Sequence, residues 1–423
     1  MNKTLKVASI MFGSVMLAVV GVVIHQCVGG ATSLPDGEFK RPVVFVPGDA
    51  GSLMEARNNN PGGYGGGSWF RIWLDILLLL PHNIHNYVEN ILMTFDPATN
   101  TSSNVPGVQT RVPHFGTTLS MEYIDPSWTA YFLGNSGAYG KALADRLIKR
   151  GYKRDISVRG APYDFRLAMS SNSEYFTRLR NLVEETYSTN GNKKVAIISH
   201  SLGGLYATWF LNHQSQAWKD QFVDTYISIA TPWAGSSDVL LALISGYNFG
   251  ISFVKPLTAR RQQRCFETNF LLLPRANFPP PDNVILSTDE RGYNCTDEDM
   301  RAVLTRAGVP NGAELFQYVR DANKVPGGPN GLPPHPGVDT FCVYGIGVQT
   351  EDILKYEGRN FPDQQPQFIN NDGDGTVAHR SLSACKLWNL APGGCIVELP
   401  GVSHTEALKG KTGIDEIMNI LFR

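Results

Sequence analysis

The stretch AIISHSLGGLYATW, residues 196–209, places a serine between an apolar strand and a helix. Val195–Ile198 is apolar on both faces, which predicts a buried parallel strand, and residues 204–211 predict a helix. Small residues stand two positions before and two positions after Ser201. They let strand and helix approach closely while the serine hydroxyl projects from the sheet edge. Because the first of them is Ser199 rather than glycine, an ordinary turn with a polar cap is the alternative on this stretch alone.

The overall composition is that of a folded protein with a large core. Of the 423 residues, 42% are hydrophobic and 18% are charged, which argues against a disordered chain. The formal net charge of −1 gives no electrostatic reason to expect a nucleic-acid partner. The sequence has no phosphate-binding loop, dinucleotide fingerprint or metal-ligand spacing. We therefore expect neither a cofactor nor a metal.

The first thirty residues are predicted to form a signal peptide. Lys3 and Lys6 precede an apolar run, Val7–Ile24, and small residues follow at Gly29–Ala31. This order is typical of secretory signals and places cleavage near residue 30, which predicts a lysosomal or secreted protein. An uncleaved anchor is the alternative, since the run approaches the ~20 residues that span a bilayer.

Secretion is compatible with glycans and disulfide bonds. Asn100 and Asn294 are each followed two residues later by serine or threonine, so both are predicted N-glycosylation sites. Beyond Cys27, the cysteines are Cys265, Cys295, Cys342, Cys385 and Cys395. This odd number leaves at least one thiol free or paired outside the chain.

Strand and helix patterns alternate along the rest of the chain. Strands are predicted within 41–51, 195–198, 225–233, 341–347 and 395–399, and helices within 139–147, 175–187, 204–211 and 414–421. Such alternation predicts an α/β fold, with a mostly parallel sheet and helices on both faces. Between Trp233 and Phe341 the pattern loosens and prolines accumulate. Residues about 234–340 are therefore predicted to form a cap inserted into one domain that spans 31–423.

Two polar loops downstream of Ser201 hold its candidate partners. NNDGDGTVAHRS contains Asp372 and Asp374, and VELPGVSHTEAL contains His404 after the last predicted strand. A serine hydroxyl is a weak nucleophile unless a base lies beside it and a third group orients that base. In folds of this architecture the three follow in the order serine, aspartate, histidine. His404 would accept the Ser201 proton, and an aspartate would fix the tautomer of the imidazole.

Other interpretations of the histidines and aspartates are weaker. His200 is adjacent to Ser201, and neighbouring side chains on a turn diverge, so it is not the predicted base. His379 has no supporting strand and is predicted to lie at the surface. The D-G-D-G run could form a calcium loop, but the closing glutamate of an EF-hand is missing.

From about Arg41 to its C-terminus the chain resembles the lecithin–cholesterol acyltransferase family. The segments that carry the resemblance are VVFVPGDAG, FRIWLDILLLLP, RVPHFG, LSMEYIDPS, VRGAPYDFR, SHSLGG, QAWKD, DGDGTV and ELPGVSH. The resemblance implies an α/β-hydrolase core with a cap, about 234–340, and a membrane-binding subdomain, about 51–92.

The same resemblance implies the roles of individual residues. Ser201, Asp374 and His404 would form the catalytic triad, with Asp374 as the orienting carboxylate. The backbone N–H groups of Asp49 and Leu202 would form the oxyanion hole.

The position of Asp49 predicts an acidic pH optimum. Its ionised carboxylate would repel an oxyanion held a few ångströms away, and burial would favour the neutral form by raising its pKa. His404 must stay neutral to act as a base. We therefore expect an optimum in which Asp49 is mostly neutral and His404 is not yet fully charged.

The function implied by the resemblance is that of a serine acyl hydrolase and transacylase on glycerophospholipids. An acyl-enzyme would form and then pass its acyl group to water or to a lipid alcohol such as ceramide. The expected partners are a phospholipid membrane surface and a lipid alcohol. One alternative is an acyltransferase or esterase for sterols or neutral lipids, and another is a non-catalytic lipid-binding protein.

The resemblance also implies a disulfide between Cys342 and Cys385. It implies a second disulfide within the membrane-binding subdomain, but this chain has no cysteine between Cys27 and Cys265. The pairing of the remaining three cysteines stays open.

The segment SWFRIWLDILLLLP, Ser68–Pro81, is predicted to insert shallowly into a membrane surface. Trp69, Phe70, Trp73 and Leu78 are the predicted contact residues. The segment is too short to span a bilayer. A buried helix is the alternative.

Overall fold

The computed structural model describes residues 24–25, 39, 41–127, 137–390 and 394–423. Its centre is a seven-stranded sheet in the order β1-β16-β13-β10-β9-β2-β8. The strands are β1 (Ile24–His25), β2 (Val43–Val46), β8 (Val158–Gly160), β9 (Val195–His200), β10 (Val223–Ile229), β13 (Asp339–Ile346) and β16 (Cys395–Pro400). All neighbours pair in parallel except β1, which is antiparallel to β16.

Helices surround this sheet. They are α1 (Ile84–Ile91), α2 (Leu119–Glu122), α3 (Lys141–Lys149), α4 (Ser173–Thr189), α5 (Gly203–Asn212), α6 (Gln216–Phe222), α7 (Ser237–Ile244), α8 (Pro256–Gln263), α9 (Glu267–Leu271), α10 (Asp297–Arg306), α11 (Gly312–Ala322), α12 (His379–Leu382), α13 (Glu406–Lys409) and α14 (Lys411–Leu421). Helices α4 and α5 pack on β2 and β9, and α13 packs on β13. The predicted α/β fold with a mostly parallel sheet is confirmed.

In the described part of the chain, three smaller sheets lie outside the central one. A three-stranded sheet has the order β4-β3-β7, β5 pairs with β6, and a four-stranded sheet has the order β12-β11-β14-β15. Their bounds are β3 (Met54–Asn58), β4 (Phe70–Trp73), β5 (Met93–Asp96), β6 (Thr101–Asn104), β7 (Val108–Arg111), β11 (Val284–Ser287), β12 (Gly292–Asn294), β14 (Val348–Lys355) and β15 (Gln367–Gly373). The sheet that begins in the predicted membrane-binding subdomain therefore extends beyond residue 92.

The antiparallel pair β14 and β15 replaces what the sequence suggested was a loop before Asp372. β15 has the sequence QFINNDG and is mostly half-buried or exposed. Asparagine, aspartate and glycine are poor strand formers, so no local pattern identifies it. Its ladder with β14, from Gly373 to Gln367, supplies the hydrogen bonds that its composition does not favour.

The segment Ser68–Pro81 is neither a helix nor a uniformly exposed surface. It begins with β4 and continues in turns through Pro81. Leu78 is only 2% exposed and belongs to the main core, whereas Leu77 is 49% exposed. The prediction that Leu78 contacts a membrane is therefore wrong, because its side chain packs inward and its neighbour faces solvent.

The predicted signal peptide lies almost entirely outside the described residues. Its described part, Ile24–His25, forms the edge strand β1, with Ile24 opposite Glu398. Cleavage near Gly29–Ala31 would remove this strand from the sheet. Within the described residues no helix is long and apolar enough to cross a membrane.

The structure contains the predicted disulfide between Cys342 and Cys385. It joins β13 to the short helical segment Ser383–Trp388 that follows α12. Cys265 and Cys295 are free thiols, and Cys395 is disulfide-bonded. The disulfide between Cys342 and Cys385 therefore encloses the chain segment that carries Asp374.

We expect the double variant Cys342→Ala/Cys385→Ala to be less stable than the wild type. The bridge closes a loop with a sequence separation of 43 residues, for which loss of chain entropy predicts about 3–4 kcal/mol. Guanidinium unfolding followed by fluorescence measures the difference. An unchanged unfolding midpoint would contradict a stabilising role, and peptide mapping without reductant checks the linkage itself.

Candidate active site

The corner between β9 and α5 holds Ser201 in an unusual backbone conformation. Its φ is 53°, in the left-handed region that costs a non-glycine residue about 1–2 kcal/mol. Its N–H donates a 2.8 Å hydrogen bond to the Ile229 carbonyl of β10. A Cβ at Gly203 would lie 2.3 Å from the Pro47 carbonyl oxygen, and one at Gly204 would lie 1.8 Å from Thr231 Oγ1. The glycines after Ser201 are thus required by the close approach of α5 to its neighbours.

Ser199, the departure from the usual glycine, has a place of its own in the core. It is fully buried, and its Oγ lies 3.1 Å from the hydroxyl of Tyr226 on β10. The Tyr226 hydroxyl also donates to the Gly204 carbonyl at 2.9 Å. A serine therefore fits at this position because a neighbouring tyrosine satisfies its hydroxyl.

Ser201, His404 and Asp374 lie in hydrogen-bonding contact. His404 Nε2 is 3.0 Å from Ser201 Oγ, and His404 Nδ1 is 2.7 Å from Asp374 Oδ2. Asp374 is fully buried, and its Oδ1 accepts hydrogen bonds from the backbone N–H groups of Thr376 and Val377. This is the geometry that a nucleophile, a base and an orienting carboxylate require.

The aspartate that contacts His404 is Asp374 and not Asp372. Half of the Asp372 side chain is exposed, and its Oδ1 accepts a 2.6 Å hydrogen bond from the Gly347 N–H. His379 is partly exposed and lies 4.0 Å from Asp372 and 3.6 Å from Glu398. Neither Asp372 nor His379 contacts the Ser201 hydroxyl.

Opposing effects set the pKa of His404. Burial disfavours its charged form, but the charge and hydrogen bond of Asp374, together with the charge of Asp238, raise the pKa above its ordinary value. Asp238 lies in the first turn of α7, where burial and then Glu351 raise its own pKa to about 7. Asp238 was not among the predicted site residues, because no sequence motif marks a carboxylate whose charge acts on His404 from α7.

The loop Pro47–Gly51 after β2 lies directly against Ser201. A Cβ on Gly48 would come within 2.8 Å of the Ser201 Cβ. The Tyr163 hydroxyl donates to the Pro47 carbonyl at 2.9 Å, and the Trp73 indole N–H donates to the Ala50 carbonyl at 2.7 Å. This loop is therefore held by side chains from three other segments, Tyr139 being the third.

The backbone N–H groups of Asp49 and Leu202 are the predicted oxyanion donors. Within the described part of the chain, neither donates a hydrogen bond to another residue. Leu202 precedes the first residue of α5, where helix N–H groups lack partners. Burial raises the pKa of the Asp49 carboxyl to about 6, although a hydrogen bond from the Ala50 N–H opposes the shift.

His200, which ends β9 just before Ser201, is buried. It is 3% exposed, and its ring contacts Tyr139 and the His404 backbone. Burial and the nearby His404 lower its pKa to about 3. Its ring centre lies 5.0 Å from that of His404, but the Ser201 hydroxyl is hydrogen-bonded to His404, so His200 does not take the place of the base.

The remaining predicted site residues lie on the outer parts of the molecule. Trp69 is half-buried between the guanidinium groups of Arg57 and Arg111, which lie 5.1 and 4.3 Å from its ring centre. Phe70 packs edge-on against Tyr64, at 4.8 Å between ring centres. The exposed residues Asn100 and Asn294 lie beside β6 and at the end of β12, and no cluster of potential metal ligands occurs among the described residues.

Comparison with known proteins places this geometry in a family. A profile described as lecithin:cholesterol acyltransferase matches residues 69–307 and 306–423. The chain belongs to the lecithin:cholesterol acyltransferase family.

Individual relatives match nearly the whole chain. It is 36% identical over 397 residues to the lysosomal phospholipase A and acyltransferase of Homo sapiens, covering 92% of each chain. It is 36% identical over 393 residues to the phosphatidylcholine-sterol acyltransferase of Rattus norvegicus, covering 90% of this chain and 84% of that relative. A chain of the Tle4–Tli4 complex is similar in fold, with a TM-score of 0.50 and 13% identity over 90% of this chain and 98% of that one.

Proposed function

We propose that the protein is a lysosomal or secreted serine acyl hydrolase and transacylase of glycerophospholipids. The observation that carries the proposal is the contact of Ser201 with His404, and of His404 with Asp374, at the edge of an α/β-hydrolase sheet. Membership of a family whose relatives are named phospholipase A and acyltransferase supports the same chemistry. The lysosomal or secreted location rests on the names of those relatives and on the predicted signal peptide.

The proposed reaction proceeds through an acyl-enzyme. Ser201 Oγ attacks the ester carbonyl carbon while His404 Nε2 takes its proton, and Asp374 stabilises the resulting imidazolium. The N–H groups of Asp49 and Leu202 hold the negative oxygen of the tetrahedral intermediate. His404 then returns the proton to the leaving lysolipid oxygen, and the acyl group stays on Ser201.

The second half-reaction decides between hydrolysis and transfer. Water or a lipid alcohol gives its proton to His404, attacks the acyl-enzyme and releases Ser201. Relatives named for sterol acylation match as well as those named phospholipase A, so a sterol is the alternative acceptor. Product analysis on mixed liposomes, with no alcohol, with ceramide and with a sterol, distinguishes the three acceptors.

A fluorophosphonate probe tests the proposed nucleophile. We expect the native protein to be labelled covalently and Ser201→Ala not to be labelled. The rate of ester hydrolysis should fall about 10⁴-fold or more in Ser201→Ala. Gel fluorescence and mass spectrometry of the labelled peptide measure this. A folded wild type that is not labelled would refute the enzyme proposal and favour a lipid-binding protein. Labelling that survives Ser201→Ala would show that Ser201 is not the nucleophile and would refute the proposed mechanism.

The pH dependence follows from Asp49 and His404. Asp49 has a pKa of about 6 and must be neutral so that it does not repel the oxyanion. His404, whose pKa is raised above 6.5, must be neutral so that it can accept the Ser201 proton. Activity therefore needs Asp49 protonated and His404 deprotonated, which gives a bell-shaped profile between the two pKa values. The optimum is thus nearer to neutrality than the sequence alone suggests.

We expect Asp49→Asn to abolish the decline in activity on the alkaline side of this profile. The variant keeps the backbone N–H but has no charge to repel the oxyanion, so activity rises with pH until His404 is neutral. Initial rates on a soluble ester between pH 4 and 9 measure the change. A profile identical to that of the wild type would show that another group, such as Asp238, controls the alkaline side.

Membrane contact is proposed for the three-stranded sheet and the turn after β4. Leu77 is exposed, and Trp69 lies between Arg57 and Arg111, a combination of aromatic and cationic groups suited to a lipid headgroup region. Helix α1, which follows Leu77, packs on α8, and the segment before and within α8 exposes further apolar side chains. These are Phe249, Phe253 and Leu257.

We expect Leu77→Ser to lower activity on liposomes about threefold to tenfold and to leave activity on a soluble short-chain ester unchanged. The expected size corresponds to the apolar area of one half-exposed leucine. Ile156→Ser is the matched control, because Ile156 is 45% exposed and precedes β8, at the amino ends of the parallel strands. The turn of Leu77 follows β4, whose Trp73 contacts the loop at the carboxyl end of β2. Equal losses in both variants, or equal losses on both substrates, would contradict membrane contact at Leu77.

A further inference from the structure

A chain of hydrogen bonds links the loop Pro47–Gly51 to the loop that carries His404. The Gly48 N–H lies 2.9 Å from the Tyr139 hydroxyl, which lies 2.6 Å from His200 Nδ1. His200 Nε2 lies 3.2 Å from the carbonyl oxygen of His404. Gly48 immediately precedes Asp49, and His404 is the candidate base, so the chain begins beside the oxyanion hole and ends at the base.

The donors and acceptors fix a single direction for this chain. The Gly48 N–H can only donate, so the Tyr139 oxygen accepts and its own O–H donates to His200 Nδ1. A neutral imidazole that accepts at Nδ1 carries its proton at Nε2, and this N–H donates to the His404 carbonyl, which can only accept. Burial keeps the His200 ring neutral by lowering its pKa to about 3, so protonation does not reverse the direction in ordinary buffers.

We propose that Tyr139 and His200 are positioning residues that hold the loop Pro47–Gly51 at a fixed distance from the His404 loop. This proposal rests on the proposed function, in which one loop supplies an oxyanion donor and the other supplies the base. The two loops follow different strands, β2 and β16, and β9, which ends in His200, lies between those strands in the sheet. Side-chain bonds through β9 are thus a direct way to set the spacing of the oxyanion donor and the base around Ser201.

The purpose of such a link is catalytic alignment. A displacement of about 1 Å in a catalytic group can lower a rate about 10²-fold, and Gly48 is already so close to Ser201 that a methyl group would not fit between them. The alternative is that Tyr139 and His200 only satisfy each other in the core. The two roles predict different effects of removing the Tyr139 hydroxyl. If the hydroxyl aligns the loops, its loss lowers the rate of every folded active site. If it is only structural, its loss lowers the stability of the protein, but the rate per folded active site stays unchanged.

The experiment compares Tyr139→Phe with Tyr152→Phe. Both changes remove a hydroxyl bonded to a backbone group next to β2, but the Tyr152 hydroxyl donates to the Arg41 carbonyl, at the other end of that strand. In Tyr139→Phe the ring can still pack edge-on against Phe45. Sites are counted by fluorophosphonate labelling to completion, so that rates are per folded active site.

We expect Tyr139→Phe to lower kcat on a soluble ester about 10- to 100-fold with KM within about twofold. The affinity for a trifluoromethyl ketone, which forms an oxyanion adduct with Ser201, should weaken by a similar factor. Tyr152→Phe should change neither quantity per site, although its Tm falls. His200→Gln, which keeps an N–H donor near the Nε2 position, should retain more activity than His200→Leu.

Each outcome decides the proposal. Per-site rate and inhibitor affinity equal to wild type in Tyr139→Phe, with only a lower Tm, would overturn it and leave Tyr139 a structural residue. If Tyr139→Phe does not fold, the His200 pair decides: equal activity of His200→Gln and His200→Leu would overturn it. A wild type that no fluorophosphonate labels would overturn the proposed function itself, which is distinguishable because it needs no variant.

Discussion

The left-handed backbone of Ser201 is the constraint around which the rest of the site is arranged. A residue with a Cβ pays a conformational cost there, and the fold maintains it by leaving no space for an alternative. The Ser201 N–H is bonded to Ile229 of β10, and α5 approaches so closely that Gly203 and Gly204 have no room for a side chain. The corner thereby exposes one hydroxyl at the end of β9, where the loops after other strands can reach it.

Loops after strands of two different sheets then converge on that hydroxyl. β2 leads into the loop of Asp49, and β16 leads into the loop of His404, both in the central sheet. Asp374 follows β15 of the small sheet, and its Cβ would lie only 3.2 Å from one built on Gly345 of β13. The disulfide between Cys342 and Cys385 encloses the same segment. The orienting carboxylate therefore packs against β13, within a segment that the disulfide joins to the same strand.

Sequence patterns predicted those parts of the molecule whose cause is local. The apolar run of β9 and the spaced apolar residues of α4 identify their elements. The order serine, aspartate, histidine identifies Ser201 and His404 but leaves Asp372 and Asp374 both open, and the family resemblance selects Asp374, which the structure places against His404. β15 could not be predicted, because its strand state comes from pairing with β14. The inward orientation of Leu78 likewise depends on the packing of the turn after β4, which periodicity does not encode.

His200 shows the same limit most clearly. Its position next to Ser201 on a turn excludes it as the base, but this position does not predict where the ring packs. Its hydroxyl partner, Tyr139, is 61 positions earlier in the chain, and its carbonyl partner is 204 positions later. A role that depends on two such distant partners is visible only after the chain has folded.

The hydrogen bond from the Trp73 indole to the Ala50 carbonyl bears on the design of chimeric proteins. Trp73 ends β4 of the peripheral three-stranded sheet, whereas Ala50 belongs to the loop beside Ser201. A designer who exchanges that sheet between homologues, to alter the surface on which the protein acts, also exchanges a support of the Ala50 loop. Because the acceptor is a backbone carbonyl, which any residue at position 50 supplies, a graft keeps this bond only if it keeps a tryptophan at position 73.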